Sequence, residues 1–178
     1  MATLVYINSR NGLAKNALEA VTYAKKLGEE VIAVTTGGAD NSSLASLGEY
    51  GASKVLVDRS LNSEDSQQLT RVLATGVELT NAKTVVFSHD LIAKTVAPRL
   101  SVRLGAGLIS GAITIPSDNT VKVNVFSGKA IGEVTINSER KIISLLPNSI
   151  QPEKTGSSCE IEEFNGQSGE AKVKFLDT

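Results

Sequence analysis

Apolar and polar positions change period several times along this chain, and each change marks an element. TLVYI (residues 3–7) is a short, β-rich apolar run, the pattern of a strand buried on both faces. Leu13, Ala17, Ala20, Val21, Ala24 and Leu27 then recur at intervals of three and four, which predicts a helix. Gly28 stands where a left-handed cap would end it. VIAVTT (31–36), closed by Gly37-Gly38, is a second strand, LASLGEYGA a short helix, and KVLVD (54–58) a third strand. A longer helix is expected from about Ser63, with Glu64 and Asp65 in its first turn, where carboxylates complement the helix dipole. Its apolar stripe is Leu69, Val72, Leu73, Gly76 and Val77, and KTVVFS (83–88) follows as a fourth strand.

Strands and helices alternating at this spacing argue for βαβ units and a parallel sheet with right-handed crossovers. The pattern changes after Gly105. LISGAITIP, VKVNVFSG, AIGEVTIN and KIISLLP are β-rich runs separated by short turns such as Ser117-Asp118-Asn119 and Asn137-Ser138-Glu139. That spacing predicts hairpins, so all four runs are expected to be antiparallel additions. After Pro147 the chain becomes polar and turn-rich, and it closes on a weak alternation, AKVKF (171–175). The fold class expected is α/β: a Rossmann-like parallel sheet flanked by helices, with appended antiparallel strands. Residues 1–147 are read as the α/β domain, and 148–178 as a polar strap and final strand of the same domain.

Composition narrows the function classes. A chain of 178 residues is long enough to bury one core, and with aromatics at 4% and no Trp that core must rest on Val, Leu, Ile and Ala. A net charge of −1 gives no case for a nucleic-acid partner. Residues 151–178 carry six Asp/Glu against three Lys, the mild acidity of a solvated strap. One cysteine, Cys159, allows neither an intrachain disulfide nor a Cys-rich zinc site, and is read as an unreactive loop thiol. The chain has no run of the roughly 20 apolar residues a spanning helix needs, and its start lacks the basic region of a signal peptide. No membrane insertion and a cytoplasmic location are expected.

The one stretch that invites a catalytic reading is FSHDLIAKTVAPRLSVRLG (87–105), which holds the only histidine, His89, beside Asp90. Ser88-His89-Asp90 falls at the carboxyl end of the fourth strand, where open α/β sheets bind ligands. The helix is expected to begin between Leu91 and Ala97, so that Pro98 lies near its first turn, where a missing N–H costs little. Ile92, Val96, Leu100 and Leu104 form the buried stripe, Arg99 and Arg103 share a flank, and Asp90 is placed to cap. A general base would need a nucleophile, a pocket and an oxyanion site, and no second motif supplies them. His89 is therefore read as a loop histidine. SRNGLAKN has one glycine and does not meet the dinucleotide pattern, no P-loop occurs, and GAGLISG (105–111) leads into a strand rather than a helix. No catalytic residue and no metal ligand is assigned, and cofactor-binding residues stay unassigned.

In order, these segments resemble the amino-terminal domain of electron transfer flavoprotein alpha subunits. ALEAVTYAKKLG resembles a helix ending near K-x-L-G, GASKVLVD a G-A-x-K-V-x-V-x-D segment, and AKTVAPRLSVRLG a G-[KR]-x-x-x-P-R-x-A-x-x-L-G helix. VFSGKAIGEV is similar to an aromatic-x-G-[NK]-A run, and PNSI to an R-P-N-x-F ending. The resemblance implies a scaffold role in a heterodimer with a beta subunit that holds one FAD. Such an assembly is an electron carrier rather than an enzyme. It takes electrons from dehydrogenases, such as the acyl-CoA dehydrogenases of fatty acid oxidation, and passes them to a quinone reductase. It also implies that the flavin is held mainly by a second alpha domain absent from these residues, so no cofactor is expected on this chain alone. Flavin chemistry resides in the cofactor and needs no triad, in keeping with the missing motifs.

Three positions depart from the family pattern: Gly111 stands where an acidic residue is usual, and Val123 and Leu146 where arginines are. Their joint loss is coherent if they formed one buried ion cluster, and their side chains are then expected to lie together. Ala93 replaces a glycine before Lys94. Two other classes remain open from residues alone. A nucleotide-binding module of universal-stress-protein type would want a glycine-rich loop that SHDLIAKT lacks, and a hydrolase using His89 has no supporting motif.

Overall fold

β1 (Ala2–Tyr6) is the axis of the molecule, buried at every position, as a both-faces-covered strand must be. The computed structural model describes residues 2–61, 65–156 and 158–173. β1 pairs in parallel with β2 (Glu30–Thr36) on one side and β4 (Thr84–Ser88) on the other, and β2 pairs in parallel with β3 (Lys54–Asp58). Helices connect them: α1 (Lys15–Lys26), a short α2 (Asn41–Ala45) running into a 3₁₀ turn (Ser46–Tyr50), α3 (Ser66–Thr80) and α4 (Leu91–Leu104). α1 and the short helix cover one face of the sheet, where Val5, Ala20, Tyr23, Leu47 and Val55 pack. α3 and α4 cover the other, with Leu4, Leu56, Leu73, Phe87 and Leu100. Apolar helix spacing predicted these faces well: Leu69, Val72, Leu73, Gly76 and Val77 are all buried in α3, and Gly28 ends α1 at φ +84°. α3 begins at Ser66 with Asp65 capping Gln67 N–H; Ser63 and Glu64 lie outside the described residues.

Four expectations need correction. Pro98 lies inside α4, whose helix starts at Leu91, rather than in a first turn. Asp90 starts the helix early by capping it, and Pro98 sits on the exposed side, where water can take the bond its ring cannot make. KIISLLP is not an antiparallel addition: β8 (Lys141–Leu145) runs parallel to β4 and to β5 (Gly107–Ala112), between them. Only β6 (Thr120–Val125) and β7 (Ala130–Thr135) are antiparallel, β6 to both β5 and β7. The reason is the return path, since Ile136 N–H bonds Asn119 O and Gly107 N–H bonds Arg140 O. β7 therefore delivers the chain back to the start of β5. The last strand among the described residues is β9 (Glu160–Glu163), parallel to β3; of AKVKF, residues 171–173 form no strand and 174–175 lie outside the described residues. The fourth correction, to the Gly111 cluster, belongs to the site below.

The strand order is β7-β6-β5-β8-β4-β1-β2-β3-β9. β1 leads outward to β2 and β3 on one side, and the chain then crosses to β4 on the other. The sheet reverses its order between β1 and β4, which opens a crevice at their carboxyl ends.

Candidate functional site

The crevice lies where that topology places it. Tyr6 and Asn8 reach it from the end of β1, Asn11 and Asn16 from the loop and first turn of α1, and Ser88 and Asp90 from the end of β4. Its volume is about 180 Å³. α1 starts above it at Ala14, with no side-chain cap and no acidic residue in its first turn. The first N–H groups of a helix point outward, so this end offers donors and a partial positive charge. Ser88 Oγ is buried and has no hydrogen-bond partner among the described residues. Asp90 Oδ1 accepts from Ala93 N–H at 2.8 Å, the capping role expected from sequence.

His89 points elsewhere. Its Nδ1 lies 2.9 Å from Ser144 Oγ on β8. Ser144 Oγ accepts from Gly111 N–H at 3.1 Å, so its own proton is directed to His89 Nδ1 rather than to the more distant Ile109 carbonyl at 3.5 Å. By that hydrogen-bond logic the ring is neutral with its proton on Nε2. Burial first, then the Lys94 charge, lowers its pKa below the ordinary histidine value, and Asp90 opposes this in part. Ser144 is buried at 2% exposure, so the His–Ser contact is a structural brace and not a nucleophile with its base.

The structure brings Gly111, Val123 and Leu146 into neighbouring backbone positions but does not join their side chains. Ala112 pairs with Val123 and its carbonyl accepts from Leu146 N–H. Gly111 sits in a strand irregularity at φ +77°, and a Cβ there would have His89 Nε2, at 3.9 Å, as its one neighbour within 4 Å, with neither Val123 nor Leu146 that close. Val123 instead packs in the cluster beneath α1. A carboxylate at 111 would have His89 as its partner, which sequence spacing could not show. Cys159 is half-buried, its Sγ 3.6 Å from Ala45 O, and burial pushes its thiol pKa up, against reactivity. Among the described residues no group of three or more potential ligands could hold a metal. No helix among them is long and apolar enough to cross a membrane.

A second feature was not legible in the sequence. β7 is exposed at nearly every position and forms the open edge of the sheet, while β6 packs Val121 and Val123 into the core. At the tip, Phe126 is 79% exposed at φ +52° and Ser127 follows at φ +56°. Two positive φ values with a Gly128 N–H to Val125 O bond make a type I′ turn, for which Asn-Gly is the usual choice and Phe a strained one. Ile131 and Val134 are exposed beside it.

The fold is a mostly parallel α/β sheet with a crevice at its switch point and an exposed β6–β7 hairpin at one edge. Residues 3–168 match the Electron transfer flavoprotein domain, and the chain belongs to that family. It is 31% identical over 157 residues to the electron transfer flavoprotein subunit alpha of Bacillus subtilis (strain 168), covering 84% of this chain and 48% of that protein. It is 25% identical over 168 residues to a probable mitochondrial alpha subunit of Caenorhabditis elegans, covering 93% and 50%. With the alpha subunit of Syntrophomonas wolfei it shares 28% over 152 residues, covering 82% and 48%. The chain spans about half the length of the relatives it matches.

A flavin dinucleotide does not fit the switch-point crevice. In the crevice its diphosphate would meet Asp90 with no lysine or arginine, and 180 Å³ is below the roughly 300–1,000 Å³ of pockets for drug-sized ligands. Two larger hollows, of about 460 and 480 Å³, mix the two signs of charge, Lys26 and Lys141 with Glu29 and Asp118 in one, Arg10 with Asp40 in the other.

Proposed function

We propose that this chain is the scaffold domain of an electron transfer flavoprotein alpha subunit, a non-catalytic part of a heterodimeric FAD electron carrier. The match over residues 3–168 carries the reading. In it, the beta subunit packs on this domain through the β6–β7 hairpin, and the flavin is held mainly outside these residues. Electrons come from dehydrogenases, including those of the acyl-CoA class, and leave to a quinone reductase, in the cytoplasm. The misfit of the dinucleotide and the exposed, strained hairpin tip support this division of labour.

The test is co-purification. Purified alone, the chain should be colourless, and co-expressed with a beta subunit from a bacterial relative it should form a one-to-one complex. A near-stoichiometric flavin absorbance on the chain alone would overturn the scaffold role. Absence of any complex with the beta subunit would overturn the assembly role.

A further inference from the structure

Ser88 Oγ presents an unsolved hydrogen-bond account. It is 9% exposed, at the end of β4, and nothing among the described residues donates to it or accepts from it. Buried hydroxyls are nearly always partnered, because leaving one unpaired costs about 1–3 kcal/mol. The same crevice holds a second unmet demand, the uncapped amino end of the 12-residue α1. The two features arise on different elements, β4 and α1, and converge on one cavity at the switch point of the sheet.

We propose that this crevice binds the vicinal-diol face of a pentose, either a free sugar or the ribose of a nucleoside. The lining chooses the chemistry. It contains no lysine or arginine, and Asp90 adds a negative charge, so a phosphate finds one helix end but a repelling carboxylate. A hydroxyl group donates and accepts, and so can answer both kinds of group present. Asp90 Oδ1 is committed to Ala93 N–H, which leaves Oδ2 to accept from one hydroxyl. Asn8 Oδ1 accepts from Arg10 N–H at 3.3 Å, which leaves its amide to donate. Asn11 and Asn16 add amides at the α1 start, and Ser88 supplies the buried end of the site. Tyr6, packed on Phe87 at 5.8 Å between ring centroids, gives one rigid apolar wall. Size agrees: about 180 Å³ is less than the roughly 300–1,000 Å³ of pockets for drug-sized ligands and suits a ligand as small as a sugar ring. A nucleoside would leave its base at the mouth, by the exposed Asn11 and Gly12.

For a ligand of about ten heavy atoms a dissociation constant near one millimolar is expected. The experiment is saturation-transfer NMR and calorimetry on the full chain with D-ribose, adenosine, 2′-deoxyadenosine and inorganic phosphate. Saturable binding of ribose and adenosine, weakened about tenfold in Ser88→Ala, supports the site with a free sugar as a source. Adenosine binding with ribose silent, and 2′-deoxyadenosine at least tenfold weaker, supports it with a nucleoside as the source. Ser88→Ala removes an unpaired hydroxyl and should not lower the thermal midpoint. Should that variant fail to fold, Asn11→Ala, on the exposed rim, must show a severalfold loss in its place. Preferential binding of phosphate overturns the proposal. So does no saturable binding of any sugar below about 10 mM, which would leave Ser88 to water alone.

Discussion

Burial and the Lys94 charge favour the neutral form of His89, and this decides its response to pH. Its pKa in the fold is lowered by burial and Lys94, whereas in the unfolded chain it is near 6.5. As pH falls through about 6.5 the unfolded chain takes up the proton first, so stability drops until the lower folded value is passed. The contribution is thus fully present above the unfolded value. The chain has one histidine, so a single NMR resonance reports it. We expect its midpoint below that of a denatured control, and a flatter stability curve between pH 7 and 5 in His89→Gln. Gly111→Asp should shift the same resonance upward, since the new carboxylate would stand beside Nε2. That variant also places a non-glycine residue at φ +77°, a cost of about 1–2 kcal/mol. A midpoint unmoved in Gly111→Asp would show that the two groups do not meet.

At the scale of elements, the segment after β8 acts as a strap fastened at successive points. Asn148 N–H donates to Glu19, which is buried in α1, and Glu153 pairs with Lys26 farther along the same helix. Thr155 and Cys159 N–H groups bond the short-helix carbonyls, β9 covers the free edge of β3, and Gly166 N–H reaches buried Asp58 at 2.9 Å. Surface ion pairs of this kind contribute about 0–1 kcal/mol each, so the backbone bonds and the covered edge carry the attachment. Gly166 is closely enclosed: a Cβ there would lie 2.7 Å from Asp58 Oδ2 and from both Val72 methyls. Gly166→Ala should cost about 1–3 kcal/mol and open the segment after β9 to limited proteolysis. Wild-type stability and protease resistance in this variant would mean that the strap end floats.

At the scale of the whole molecule, Phe126 at the hairpin tip tests the proposed contact with a beta subunit. Phe126 combines exposure with a left-handed backbone that Asn adopts more easily. Phe126→Asn should therefore stabilise the isolated chain by about 1 kcal/mol while weakening association with a beta subunit at least tenfold, read by denaturation and by titration calorimetry. Association as tight as that of wild type would remove the hairpin from the interface. The alternating half was legible in residues because its signals are local: β1, β2, β3 and β4, the buried stripe of α3, the Gly28 cap and the Asp90 cap each follow from a few adjacent side chains. Pro98 misled because a local rule about prolines yields to a capped helix packed on a sheet. What lay beyond the residues was everything set by distant pairing. β8 slides between β4 and β5, Ser144 meets His89 from 55 positions away, and Ser88 shares a crevice with the start of α1. Periodicity tells a strand which faces it buries, but not which neighbour it takes. That choice is made by loop paths and by the packing of both faces at once, so the crevice and the hairpin exist only in the assembled sheet.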